Sequence, residues 1–266
     1  MKLSAVMIVS DEEAMLRPCL ESLAFVDEIV AVVQTSSTDG TEKMLREYTE
    51  HVHLREFDTF GKQRNFGIEQ ASGDWIFSID ADERVPPALG REIRGVVDGE
   101  TAKDGFDIRR PEFFLGQEMK YGGWAERIIR LVRREKARYE RDIHEVFVIA
   151  PEKLGHLENP LWHFANRTMG HHLQKMNVYP RVQAEQMFTE GHPPVTRKSF
   201  FVVTFRMLWL RLVKKRAYKD GVPGVIESFH QASLMYLAYA MLWEKQQRAT
   251  LDERYATLEK QLRAKK

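Results

Sequence analysis

The stretch ASGDWIFSIDADERV, residues 71–85, carries the reading of the fold. Its apolar centre, DWIFSID (74–80), has the length of a buried strand, and it ends in the carboxylates Asp80 and Asp82. Working back towards the N-terminus, HVHLREF (51–57) reads as a short strand, and a Gly-led helix follows it from Gly61 to Ala71. DEIVAVV (27–33) and LSAVMIV (3–9) are β-branched apolar runs of strand length. Between them, Met15, Leu16, Leu20 and Leu23 recur at helical spacing over Asp11–Ala24. The polar turn TSSTDGT (35–41) offers Ser37, Thr38 or Asp39 as the cap of a helix over Thr41–Tyr48. Strands alternating with helices predict βαβ units and a largely parallel sheet. Such sheets bind ligands at the carboxyl ends of their strands. Ser10, the 34–40 turn, the 57–65 stretch and Asp80–Asp82 all fall there.

Working forward, the texture changes near residue 105. GFDIRRPEFFLG (105–116) and IIRLVRR (128–134) read as further strands, and β character continues through ARYERDIHEVFVIA (137–150). After His163 the pattern is helical to the end, so the expected division is 1–165 for an α/β domain and 166–266 for a helical extension. Two apolar stretches lie in that extension, SFFVVTFRMLWLRLV (199–213) and SFHQASLMYLAYAMLW (228–243). A membrane span needs about 20 apolar residues, so neither reads as one. From Gly191 to Lys219 there are eight Lys or Arg and no acid. Basic residues interleaved with Phe, Trp and Leu suit either an interfacial helix on an anionic leaflet or a helical pair covering the sheet.

Composition narrows the class. Of 266 residues, 43% are hydrophobic and 30% charged, which excludes disorder and a multi-span membrane protein. The single cysteine, Cys19, excludes an internal disulfide and a Cys-rich metal site. The seven-residue apolar run at the N-terminus is too short for a secretory signal. The net charge of +1 conceals an acidic first hundred residues, with 10 basic and 20 acidic side chains, and a basic remainder with 30 and 19.

Two carboxylates at the end of a buried strand need cationic partners. Mg2+ or Mn2+ bridging to substrate phosphates satisfies Asp80 and Asp82; an Asx turn with Arg84 as ion-pair partner is the plainer alternative. Aspartate-nucleophile phosphatases also place Asp-x-Asp after a strand, but after the first one and without a following Glu83-Arg84. The G-x-S-x-G elbow, the Walker pattern and the dinucleotide glycine fingerprint are all missing.

Taken in order, LSAVMIVSDEEAMLRPCLESL, DEIVAVV, TSSTDGT, FGKQRN, ASGDWIFSIDADERV, FFLG, YGGW, RLVRR, His144-Glu145 and the late KDG-x-x-G resemble glycosyltransferase family 2. Within that family the chain is similar to the bacterial lipopolysaccharide core β-1,4-glucosyltransferases. The resemblance implies a GT-A fold, a Rossmann-like nucleotide-sugar-binding mixed sheet flanked by helices. It implies that Ser10, Glu12, Gln34, Ser36 and Asp39 surround the nucleotide, with Arg64, Asn65, Asp80 and Ala81 beside the diphosphate. Without the resemblance, Arg64 reads as an exposed helix charge. Asp80 and Asp82 would coordinate Mg2+ or Mn2+, completed by His163, although a lone His among apolar residues also suits a core. Glu145 matches the position of the base, with Asp142 and Glu126 in reserve. Gln34 departs from the family, which has Asp there, so it brings an amide and no charge. Trp124, after Gly122-Gly123, suits either a pyranose platform or a core aromatic, and Arg130, Arg133 and Arg134 either phosphate contacts or an outer strand face.

The expectation is therefore an inverting, metal-dependent transferase moving a hexose, glucose from UDP-glucose, onto a lipopolysaccharide-core or other lipid-linked acceptor. It would work in the cytoplasm, peripherally at the inner membrane and without nucleic acid, because a crevice lined by Asp80 and Asp82 repels a polyanion. A degenerate nucleotide-sugar binder is the non-enzymatic alternative.

Overall fold

The computed structural model describes residues 1–124, 126–140, 146–166 and 168–264. The chain forms two compact units, one of residues 1–113 and 125–165, the other of residues 114–124 and 166–266.

The first unit is built on a seven-stranded sheet. Its strands are β1 (Leu3–Val9), β2 (Glu28–Gln34), β3 (Val52–Arg55), β4 (Trp75–Ser78), β6 (Gly105–Arg110), β9 (Glu126–Arg133) and β12 (Leu154–Leu157). They lie in the order β12-β6-β9-β4-β1-β2-β3. β1, β2, β3 and β4 are mutually parallel, as expected from the βαβ pattern. β9 runs antiparallel between β4 and β6, so the sheet is mixed.

The alternation along β1 explains the layering. Leu3, Ala5, Met7 and Val9 join a core with Leu16, Cys19 and Leu20 of α1 (Glu13–Glu21) and with Leu89, Ile93 and Val97 of α4 (Pro87–Asp98). Val6 faces the other way, onto Ile68 of α3 (Phe60–Gln70) and Ile76 of β4. α3 lies close against the sheet because Gly67 has no side chain; a Cβ there would stand 2.8 Å from Val6 Cγ1. α2 (Thr41–Arg46) contributes Leu45 to the first core. Two-residue strands complete the unit: β5 (Glu83–Arg84), which pairs antiparallel with β13 (Trp162–Asn166), and β10 (Tyr139–Glu140), which pairs with β11 (Val146–Phe147).

In the second unit, β8 (Gln117–Met119) belongs with α5 (Met169–Thr189), α6 (Arg197–Leu208), a π-helical turn (Trp209–Lys214), α7 (Gly221–Gln246) and α8 (Arg248–Ala264). β7 (Glu112–Phe114) is where the chain passes from the first unit to the second. α7 packs against both α5 and α6. No helix among the described residues is long and apolar enough to cross a membrane.

A buried carboxylate fastens the N-terminal strands. Glu28 accepts from Ser4 Oγ, from Ser72 N and Oγ at 2.8 Å each, and pairs with Lys2 Nζ at 3.4 Å. Burial alone would raise its pKa; the hydrogen bonds from Ser4 and Ser72 and the charge of Lys2 outweigh this and hold it at about 2 against an ordinary 4.5. Because the folded value is depressed, the stabilisation is fully present above pH 4.5 and is lost as pH falls towards 2. Glu28→Gln is predicted to cost about 3 kcal/mol at neutral pH. Urea unfolding measured across pH should show a flatter acid-side slope in the variant than in the native chain.

Candidate active site

The ends of β1 and β2 are laced together through carboxylates. Asp11, in the left-handed region at φ 53°, accepts the Thr38 N–H at 2.7 Å, while Asp39 accepts the N–H of Glu13 at 3.0 Å and of Thr41 at 2.9 Å. Burial works against the Asp39 charge, but the hydrogen bonds from Thr41 and Glu13 prevail and keep its pKa below the ordinary value. Glu13 in turn accepts from Gly40 N at 3.0 Å, and Thr41 Oγ1 accepts from Glu12 N at 2.8 Å. Ser10 and Gln34 are half-buried at the mouths of β1 and β2, and Ser36 is exposed on the turn beyond. These side chains thus share one end of the sheet, on two loops joined by hydrogen bonds.

At the end of β4 the chain turns through Asp80-Ala81-Asp82 into β5, and here charges gather below the surface. Asp80 Oδ1 takes Arg64 Nη2 at 2.7 Å, and Asp80 Oδ2 takes Arg130 Nη2. Arg130 also reaches Glu83 Oε1 at 2.6 Å, and Arg110 Nη1 approaches the same oxygen at 3.2 Å. Glu83 is wholly buried, and its other oxygen accepts the Asp80 N–H at 3.0 Å. Burial opposes the charge on Asp80, yet Arg130, Arg64 and Arg110 hold its carboxyl well below the usual range. Arg130 is correspondingly held well above its ordinary value by Asp80 and Glu83, against the effect of burial.

Arg64 is 7% exposed and points inward, so the exposed-charge alternative does not describe it. Its guanidinium lies 5.4 Å from the Tyr139 ring, whose hydroxyl donates to Ser78 Oγ at 2.8 Å. The Asn65 amide is committed to β10: it donates to Tyr139 O at 3.0 Å and accepts from Tyr139 N at 2.8 Å. Arg130 is 6% exposed and inside the cluster, whereas Arg133 donates to the backbone of Thr101 and Lys103, and Arg134 is exposed. Arg84 donates to the carbonyls of Ala81, Glu83 and Met15, each within 2.7 Å, and lies over Phe164.

Asp82 faces β13. Its Oδ2 stands 3.4 Å from His163 Nε2, and His163 Nδ1 stands 3.2 Å from Glu112 Oε2. Burial lowers the His163 pKa and Arg110 lowers it further, but Asp82 and Glu112 together carry it up to about 9. Among the described residues no three His, Cys, Asp or Glu side chains gather as a metal cluster. Asp82 nevertheless offers an oxygen and His163, once its proton is displaced, a nitrogen; with substrate phosphates and water as the remaining ligands this set suits Mn2+ better than the oxygen-preferring Mg2+. Both Asp80 oxygens already accept from arginines, so the two carboxylates of the pair stand in different chemistry.

Glu126 opens β9, exposed and opposite Arg110. Asp142 and Glu145 lie outside the described residues. Gly122, Gly123 and Trp124 belong to the second unit, where Arg211 covers one face of Trp124 at 4.1 Å and donates to Gly122 O at 2.7 Å. Sequence reasoning passed over Glu83, Arg110, Glu112 and Tyr139 as site residues. Arg130 carried a usable signal, being a lone cation between Ile128-Ile129 and Leu131-Val132.

A mixed sheet with paired loops at the β1 and β2 ends and acidic residues after β4 is the architecture of a nucleotide-sugar transferase. Residues 4–149 match the family model described as Glycosyl transferase family 2, and the chain belongs to that family. It is 31% identical over 260 residues to the lipopolysaccharide core biosynthesis glycosyltransferase LpsC of Rhizobium meliloti (strain 1021), covering 91% of this chain and 92% of that protein. It is 23% identical over 258 residues to the uncharacterized glycosyltransferase RT0209 of Rickettsia typhi, covering 91% of this chain and 87% of the other. Among solved structures, the mannosyltransferase PcManGT from Pyrobaculum calidifontis, in complex with GDP-Man and Mn2+, matches with a TM-score of 0.52 at 14% identity. That match covers 92% of this chain and 88% of that one, and the shared fold is GT-A. The chain is accordingly a glycosyltransferase of the GT-A class.

Arg130→Met would leave Asp80 and Glu83 short of their shared cation. The variant is predicted to lose about 3–5 kcal/mol of stability in urea unfolding, with Arg130→Lys recovering part of it.

Proposed function

We propose that this chain is an inverting, metal-dependent hexosyltransferase that moves glucose from UDP-glucose onto a lipopolysaccharide-core or other lipid-linked acceptor. It works at the cytoplasmic face of the inner membrane. The observation that carries the metal-dependent part is the pairing of Asp82 with His163 at 3.4 Å, beside an Asp80 that is fully engaged by arginines. Similarity to LpsC over most of both chains supports the lipopolysaccharide-core acceptor.

In this reading Ser10, Glu12, Gln34, Ser36 and Asp39 hold the nucleoside, Gln34 through its amide where a charge is absent. Asp82 and His163 would hold Mg2+ or Mn2+, which would supply positive charge for the departing diphosphate. Asp80 sets Arg64 and Arg130 in place beneath the site. Glu145 takes the proton of the acceptor hydroxyl as it attacks the anomeric carbon, with Asp142 and Glu126 as the other candidate carboxylates. Attack from the face opposite the diphosphate inverts the configuration. A phosphatase in which Asp80 is the nucleophile is disfavoured, because each of its oxygens accepts a charged hydrogen bond.

The test is binding and slow hydrolysis of UDP-, GDP- and CMP-sugars with Mn2+ or Mg2+, then with EDTA. UDP-glucose is expected to bind with metal and not in EDTA, and Asp82→Ala to weaken binding by about a hundredfold or more. Binding of none of these donors by the native chain would overturn the reading. Because His163 is held protonated up to about pH 9, metal must displace its proton. Mn2+ affinity, read by electron paramagnetic resonance, is therefore predicted to rise with pH up to about 9, and His163→Gln to flatten that rise.

A further inference from the structure

We propose that the exposed face of α6 and the π-helical turn after it is a docking surface for an anionic lipid bilayer. Phe201, Phe205, Trp209 and Val213 enter the headgroup layer. This rests on the proposed function for its purpose, since a lipid-linked acceptor requires the enzyme to reach the bilayer, and it names the surface that does so.

Three observations carry it. First, those four side chains are 67%, 65%, 57% and 56% exposed and recur every fourth residue, a spacing that aligns them along one side of a helix. No residue of α6 is fully buried. A row of this kind, open to water, marks an interaction surface rather than an ordinary scatter of apolar residues. Trp209 suits the headgroup boundary, where its ring is buried and its indole N–H stays wet.

Second, the charges around the row have one sign. Arg197, Lys198, Arg206, Lys214, Lys215, Arg216 and Lys219 are all exposed. Between Gly191 and Trp243 the sequence contains just two carboxylates, Asp220 and Glu227, and both are turned inward, 8% and 5% exposed. Asp220 accepts the N–H groups of Lys120 and Tyr121 at 3.2 and 2.9 Å, and Glu227 accepts from Gln231 at 2.9 Å. The surface from Gly191 to Trp243 thus presents cations and apolar rings without an exposed carboxylate. Anionic headgroups complement that pattern. A second copy of the same face would bring like charges together, which disfavours self-association.

Third, α6 is twelve residues long and no described helix meets the requirement for a span, so the surface lies on the bilayer rather than through it.

The experiment uses the full chain and vesicles of phosphatidylcholine with or without phosphatidylglycerol, at physiological salt. Flotation with the anionic vesicles alone is expected. The double variant Phe205→Ser, Trp209→Ser should lose at least about tenfold in partitioning. Arg206→Gln with Lys214→Gln should weaken binding and reduce its salt dependence. Lipids brominated on their acyl chains should quench tryptophan fluorescence in the native chain, and Trp209→Phe should remove most of that quenching. Circular dichroism and melting temperature should be unchanged in every variant, since the substituted side chains are exposed.

Failure to float with either vesicle overturns the inference, as does undiminished quenching in Trp209→Phe. A lipid-free dimer in light scattering that Phe205→Ser dissolves would assign the face to a second copy instead. Donor binding is measured separately in solution. A chain that binds UDP-glucose but ignores vesicles refutes the docking surface alone, and one that floats but binds no sugar nucleotide refutes the transferase reading alone.

Discussion

Arg130 brings a full positive charge into the middle of the sheet, and the site end of the first unit is organised around that fact. A guanidinium that is 6% exposed is tolerable only with carboxylates in contact, and Asp80 and Glu83 provide them. The arrangement fixes register as well as charge. β9 pairs with β4 so that Leu131 lies opposite Phe77, which brings Arg130 to the β4 end where Asp80 begins its turn. A slip of one residue would carry Arg130 to the other face of the sheet, away from both carboxylates. Strand pairing and charge pairing therefore specify the same geometry, and the shape of the Asp80–Asp82 turn is set by the protein's own charges.

The two aspartates diverge because of that turn. Asp80 closes on Arg64 and Arg130, Ala81 is buried, and Asp82 comes out beside His163. Only the second aspartate borders a neutralisable base, so proton and metal chemistry in the proposed function concentrate on Asp82 and His163. Glu112 adds a second carboxylate to the imidazole at its other nitrogen. That contact fixes which nitrogen faces Asp82 and keeps the ring from turning, the kind of preorganisation that costs nothing at the moment of reaction.

How much of this was legible follows from what each residue depends on. β1, β2 and β4 were readable to within two residues because they are continuous β-branched or aromatic runs buried on both faces. β5 was not, since two residues carry no period, and β10 and β11 were legible only as β character across 137–150, without separate bounds. The acidic pair after β4 announced a charged site. That Arg64 and Arg130 pair with Asp80 was not legible, because they lie 16 and 50 residues from it and meet it only through the packing of α3 and β9. On its own residues Arg64 reads as a surface charge, because α3 carries polar residues over much of its length; the family resemblance draws it to the diphosphate, and the fold shows the side that faces Ser78. Glu112 and His163 are separated by 51 residues and are brought together beside β13.

In the second unit the two carboxylates between Gly191 and Trp243, Asp220 and Glu227, are turned inward. Asp220 is spent inward, clasping the backbone of Lys120 and Tyr121, and its carbonyl accepts from Gln117 at 2.6 Å. Lys215 O accepts the N–H of Gly122, and Arg211 holds the Gly122 carbonyl while lying over Trp124. Gly122 and Gly123 make this clasp possible, since their φ values of 78° and 80° are strained for any other residue. The segment that turns Trp209 and Val213 outward thus turns Arg211 inward, two residues from each, onto the 120–124 loop. Turning Asp220 and Glu227 inward leaves the surface of the 191–243 segment without an exposed carboxylate, so loop anchoring and surface charge come from one choice of residues. A shift of the Trp209–Lys214 turn would have to move or break the Arg211 contacts, and the loop that carries Trp124 would move with them.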